Sequence, residues 1–115
     1  MADVPHKTPL VFYRTPAGAE VVRDWLRALK REDRNIIGQD LMRVQFRWPV
    51  GMPLARSLGE GLWEVRSDLP GNRIGRVFIC FRGGRLVALH GFIKKTQRTP
   101  DDVLKLAHRR RREFK

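Results

Sequence analysis

The sequence predicts an α+β fold: a small antiparallel meander of strands packed with an N-terminal αα-hairpin and a C-terminal helix. Three observations carry that expectation. Apolar residues recur at helical spacing between Val21 and Trp48. From Leu62 to Ile93 the chain turns to Val-, Ile- and Phe-rich runs bounded by turn residues. After Thr99-Pro100 the helical spacing returns. The 115 residues suit one domain spanning 1–115, with a lead-in over 1–9 and a basic tail over 109–115.

The elements follow in order. Leu10-Val11-Phe12-Tyr13 is short, apolar and β-prone, so it is read as a first strand. Thr15-Pro16 offers an N-cap followed by proline at the first helical position. Val21, Val22, Trp25, Leu26 and Leu29 then share one helical face, with Arg23, Asp24, Arg27 and Lys30 outside it. Glu32-Asp33 opens a second helix along Ile37, Leu41, Val44 and Trp48, and Pro49 stops it. Val50 to Leu58 reads as irregular. Strands are expected over Leu62–Ser67, Arg73–Arg82 and Arg85–Ile93. Leu69-Pro70-Gly71-Asn72 makes the first connection and Gly83-Gly84 a two-residue hairpin turn. Thr99-Pro100-Asp101-Asp102 is expected to cap the last helix, with acids at the positive end of its dipole.

Composition narrows the function. Lys and Arg number 24 against 12 acids, a formal net charge of +12 and a pI near 11.4. Self-repulsion on that scale opposes compactness, so a polyanionic partner is its simplest reason. Arginine supplies most of it, and its planar fork grips phosphate oxygens bidentately. Cys80 is the single cysteine, which excludes a disulfide scaffold and any cysteine-based zinc cluster. His6, His90 and His108 lack ligand-like spacing to acids, so neither metal nor cofactor is expected. No run approaches the ~18 apolar residues of a membrane span. Met1 to Thr8 lacks the apolar stretch of a signal peptide, and the expected compartment is a reducing cytoplasm.

The strands suggest where a site would lie. If Gly83-Gly84 forms a tight turn, residues summing to 167 face each other, so Val77 opposes His90 and Arg73 opposes Lys94. Strict alternation then gathers Glu64, Arg66, Arg73, His90, Phe92 and Lys94 on one face. Phe78, Cys80, Val87, Leu89 and Ile93 fall on the other, under the helices. Arg76 joins the polar face only if a β-bulge intervenes, and Gly75 is the candidate for it.

These residues carry a resemblance. Leu62-Trp63-Glu64-Val65-Arg66, Arg73-Ile74-Gly75-Arg76-Val77-Phe78 and Leu89-His90-Gly91-Phe92-Ile93-Lys94-Lys95-Thr96 resemble the phage-derived HigB-like branch of the RelE/ParE toxin superfamily. The likeness spans roughly residues 10–112, in the same order of elements. It implies a RelE-like fold and a cytoplasmic toxin neutralised by a cognate antitoxin, commonly a helix-turn-helix protein. The oligomeric state is left open, and the toxin alone could be a monomer. It also implies cleavage of mRNA on a translating ribosome, without a cofactor. The ParE branch inhibits DNA gyrase instead, so the superfamily alone leaves the target open. A general nucleic-acid-binding domain is a third, weaker reading of the charge.

RNA brings its own nucleophile, the 2′-OH, so the protein need only manage charge and protons. Arg66, Arg76 and Lys94 match the family's basic strand positions. Arg66 and Arg76 are expected to hold the scissile phosphate, with Arg73 taking that part if Arg76 faces inward. Lys94, Lys95 or His90 would move the protons. Phe92 would stack on a base and Glu64 would orient Arg66. Arg82, Arg109 and Arg110 complete the expected RNA-contacting set. Trp25, Trp48, Trp63 and Cys80 read as core.

Overall fold

The fold was obtained as a computed structural model, which describes residues 7–95 and 99–114. Eight elements follow one another: β1 (Leu10–Phe12), α1 (Val21–Ala28), α2 (Arg31–Arg47), β2 (Ala55–Gly59), β3 (Leu62–Leu69), β4 (Arg73–Arg82), β5 (Arg85–Lys94) and α3 (Asp101–Glu113). The strands form one sheet in the order β1-β5-β4-β3-β2. The meander β2-β3-β4-β5 is antiparallel, and β1 runs parallel to β5 at the far edge. The α+β class and the order of elements agree with the sequence. The sheet is larger than expected, with five strands and mixed pairing.

Both faces of the sheet are covered. The αα-hairpin packs Val22, Ile37, Leu41 and Val44 against Val65, Leu69, Val77, Ile79, Leu86 and Ala88. On the other face α3 sets Ala107, Val103 and Leu104 over Leu62, Phe78, Cys80, Val87 and Leu89, with Tyr13 completing the cluster. The apolar set expected on one face, under the helices, is therefore divided. Ile93 lies with the hairpin, whereas Phe78, Cys80, Val87 and Leu89 lie under α3.

The reason is a β-bulge in β5. Arg82 pairs with Arg85 and Ile79 with Ala88, as a tight Gly83-Gly84 turn requires. The next rung joins Phe78 to His90, so Leu89 is the extra residue. From there the parity of β5 is inverted, and Arg76 comes opposite Phe92 rather than Arg73 opposite Lys94. Gly75 is not the bulge. It pairs regularly with Ser67 and Ile93, and a Cβ there would lie 2.9 Å from Ile37 Cδ1. Its lack of a side chain lets α2 sit close on the sheet.

Three smaller expectations also change. Thr15-Pro16 does not start α1. The Thr15 hydroxyl accepts the Ala19 N–H at 3.1 Å in a turn, and the helix begins at Val21. Thr99 does not cap α3, because its hydroxyl is engaged elsewhere. Ala55–Gly59, all but its last residue read as irregular, is an edge strand. Arg109 to Arg112 close α3 as a basic run, as expected. None of the described helices is long and apolar enough to cross a membrane.

Candidate functional site

The bulge determines which side chains share the α3 face. Three successive rungs cross β3, β4 and β5: Glu64, Phe78 and His90; then Arg66, Arg76 and Phe92; then Asp68, Ile74 and Lys94. Of the residues expected on one polar face, the structure brings together Glu64, Arg66, His90, Phe92 and Lys94. It adds Arg76 and removes Arg73.

Arg76 forms the buried floor. It is 0 % exposed and Glu64 1 %. Arg76 Nη1 donates to Thr99 Oγ1 at 3.1 Å, and that hydroxyl donates to Glu64 Oε2 at 2.9 Å. Nη1 also lies 3.9 Å from Glu64 Oε2. Burial pulls the guanidinium pKa below its ordinary value; Glu64 opposes the fall, and Arg66 and Arg56 add to it. The side chain nonetheless remains charged, as arginine does in proteins. With no exposed surface, Arg76 cannot itself grip a phosphate in this conformation, contrary to its expected direct role.

Arg66 reaches outward from the same network. Its Nε lies 3.8 Å from Glu64 Oε1, so one carboxylate faces both arginines. The Arg66 side chain is 24 % exposed. Phe92 lies across the floor, with its ring centre 5.8 Å from the Arg76 guanidinium. The exposed Lys94 places its ammonium 5.6 Å from the centre of that ring. Lys95 is also exposed, at the end of the strand. The open part of the face is thus the Phe92 ring with Lys94 against it, and Arg66 on the same rung across β4.

His90 belongs to an aromatic ladder. Its ring stacks on Phe78 at 6.4 Å and lies 6.1 Å from Phe92. Arg110 Nη1 approaches His90 Nδ1 at 3.3 Å. Arginine can only donate, which assigns the proton of the neutral ring to Nε2. Burial, followed by the Arg110 charge, holds the imidazole below its ordinary value of 6.5. His90 is therefore neutral at pH 7 and offers an N–H to the site, while its basic nitrogen is engaged.

The other candidates are held elsewhere. Arg73 lies on the hairpin face, where it donates to both Asp33 oxygens at 2.7 and 2.9 Å and to Pro70 O at 2.9 Å. Those bonds hold the Asp33 carboxyl below its ordinary range. Arg110 donates to Leu89 O at 2.8 Å and stacks over Tyr13, fastening α3 to the sheet. Arg82 bonds the Phe114 carbonyl. Arg109 is exposed, 3.8 Å from Glu113. Among the described residues, no three His, Cys, Asp or Glu side chains come together in a metal-binding group.

Sequence reasoning missed two participants. Thr99 looked like a helix cap, and nothing local marks it as the hydroxyl between Glu64 and Arg76. Arg56 lies on the unrecognised β2, opposite Glu64, and adds a cation beside Arg66. Arg56 and Leu58 are two residues apart, so the run shows no polar–apolar alternation to mark the strand.

With this geometry in view, comparisons place the chain among known sequences. The family described as phage-derived protein Gp49-like (DUF891) matches residues 24–112, which run from α1 to the last turn of α3. A search of curated proteins returned no match.

Proposed function

Because the chain belongs to the Gp49-like phage-derived family of RelE/HigB-type toxins, we propose that it is a HigB-branch toxin that cuts mRNA on the translating ribosome. The observation that carries this reading is the open rim of the α3 face, where Lys94 lies against the Phe92 ring and the partly exposed Arg66 shares that ring's rung across β4. Two cations hold a scissile phosphate, and the ring on the same face stacks a base.

In the proposed reaction the RNA 2′-oxygen attacks the adjacent phosphorus and loses its proton. The bond to the 5′-oxygen breaks, and that oxygen takes up a proton. The products are a 2′,3′-cyclic phosphate and a 5′-hydroxyl. Arg66 and Lys94 stabilise the added negative charge, and the His90 Nε2–H donates to a phosphate oxygen. Proton transfer falls to Lys94 or Lys95, because Arg110 occupies the basic nitrogen of His90. Arg76 acts through Glu64 as a positioning residue. In the same reading a helix-turn-helix antitoxin neutralises the protein in the cytoplasm.

The test is induced expression followed within minutes by mapping of mRNA 5′ ends. Discrete cuts inside translated frames, lost when the start codon of a reporter is removed, are the expected result. Growth arrest with intact mRNA and reduced DNA supercoiling would favour a gyrase-directed inhibitor instead.

A further inference from the structure

Two large apolar side chains are exposed together on the outer side of α2. Met42 is 48 % exposed and Phe46 45 %, one helical turn apart. Neither serves the core, which α2 supplies through Ile37, Leu41 and Val44. With Gln39, Arg43 and Arg47 they line a cleft of about 370 Å³. Arg43 and Arg47 also line a second cleft of about 630 Å³, which Ile36, Pro53, Leu54 and Arg66 share. The outer surface of α2 is therefore an arginine ridge with a partly apolar groove on either flank. Lys7 adds a third cation, its Nζ 5.8 Å from the Phe46 ring centre.

We propose that this surface docks an acidic amphipathic helix of a protein partner. Anchors one turn apart, beside a ridge with parallel grooves, match the way one helix seats on another. The ring of Arg43, Arg47 and Lys7 selects carboxylates at the edge of the partner's apolar stripe. Of the two acids lining the larger cleft, Asp40 is already bound by Arg43 at 2.7 Å, and Asp68 belongs to β3 rather than to that ridge. A nucleic acid would satisfy the cations but would leave Met42 and Phe46 in water, so the apolar pair favours protein. The inference holds whether or not the chain cuts RNA, since Met42 and Phe46 lie outside the candidate site. Because Arg66 also lines the larger cleft, a helix seated along it also reaches the rim of that site.

The test measures fluorescence anisotropy of three labelled probes against the full chain. The first is an idealised helical peptide of about 18 residues, with leucine at helical spacing and glutamate elsewhere. The second is a scramble of the same composition, and the third a uridine dodecamer. The amphipathic peptide should bind about tenfold more tightly than its scramble, a difference of roughly 1.4 kcal/mol. That preference should vanish in a Met42→Ser/Phe46→Ser variant whose circular dichroism is unchanged. Equal binding of the two peptides would reduce the surface to unspecific charge and overturn the proposal. So would a variant that keeps the preference, or one that loses affinity for the dodecamer instead.

Discussion

Arg73 and Arg76 lie three residues apart on β4, on opposite faces of one sheet, and the two faces use them differently. On the hairpin face Arg73 sits at the rim and makes a bidentate ion pair with Asp33, while the interior beneath α1 and α2 is almost wholly apolar. On the α3 face the order is reversed. Arg76 is the buried element, satisfied by Glu64 and Thr99, and the rim is left to Arg66, Phe92 and Lys94. At the hairpin rim the partly exposed Arg73 ties β4 to α2 through the buried Asp33. A charge beneath a rim needs its own buried counter-ion, and what that arrangement supports is the placement of the residues above it.

The sharpest way to break this comparison is to remove Glu64. Glu64→Ala leaves the buried Arg76 charge without its carboxylate, and such losses cost about 3–5 kcal/mol. Urea denaturation should show that loss. A change below about 1 kcal/mol would mean that Arg76 has found water, and that the α3 face is open to its floor.

On the hairpin face the vulnerable feature is packing rather than charge. A Cβ on Gly91 would fall 2.4 Å from Trp25 Cζ3, with two further ring atoms within 2.9 Å. Gly91→Ala should destabilise by about 1–3 kcal/mol, read as a fall in melting temperature. The glycine following His90 thus serves the face opposite the histidine.

A smaller effect separates the two arginines by pH. Arg73 holds the Asp33 carboxyl below its ordinary 3.8, so the folded state binds that proton less readily than the unfolded chain does. The stabilisation is whole above the ordinary value and fades as pH falls through the lowered one. Asp33→Asn should therefore lower the melting temperature at pH 7, by less than either change above, and the gap from wild type should close in acid.

The smallest effect concerns His90. Its folded pKa lies below the ordinary 6.5, so the unfolded chain binds more protons between the two values. Stability contributed at this position is whole above about 6.5 and declines as pH falls below it. An NMR titration of the imidazole should give a midpoint under 6.5. A midpoint above that would mean that Arg110 does not face Nδ1 in solution.

The sequence made the order of elements legible because its periods are clean. Helical spacing through α1 and α2, the Gly83-Gly84 turn and the β-rich runs each report local chemistry. It also made most of the α3-face set legible, because Glu64, Arg66 and Asp68 alternate on β3. What it could not show is non-local. One inserted residue at Leu89 inverts the rest of β5, so His90, Phe92 and Lys94 join the face of Arg76, Phe78 and Cys80 instead of that of Arg73. Leu89 has no turn residue beside it on the N-terminal side to announce a bulge. Thr99 is a helix cap by every local rule, yet it is drawn away by a carboxylate 35 positions earlier. The parallel pairing of β1 with β5 joins segments far apart in the chain and has no local trace.

The central claim is that the rim of the α3 face acts on RNA while the rim of the hairpin face only holds the fold. Mapping mRNA 5′ ends after induction of wild type, Arg66→Ala/Lys94→Ala and Arg73→Ala, each shown folded by circular dichroism, tests it most directly. The account predicts discrete cuts with wild type and with Arg73→Ala, and none with the Arg66→Ala/Lys94→Ala variant. Cuts that persist in that double variant, or that disappear with Arg73→Ala alone, would contradict it.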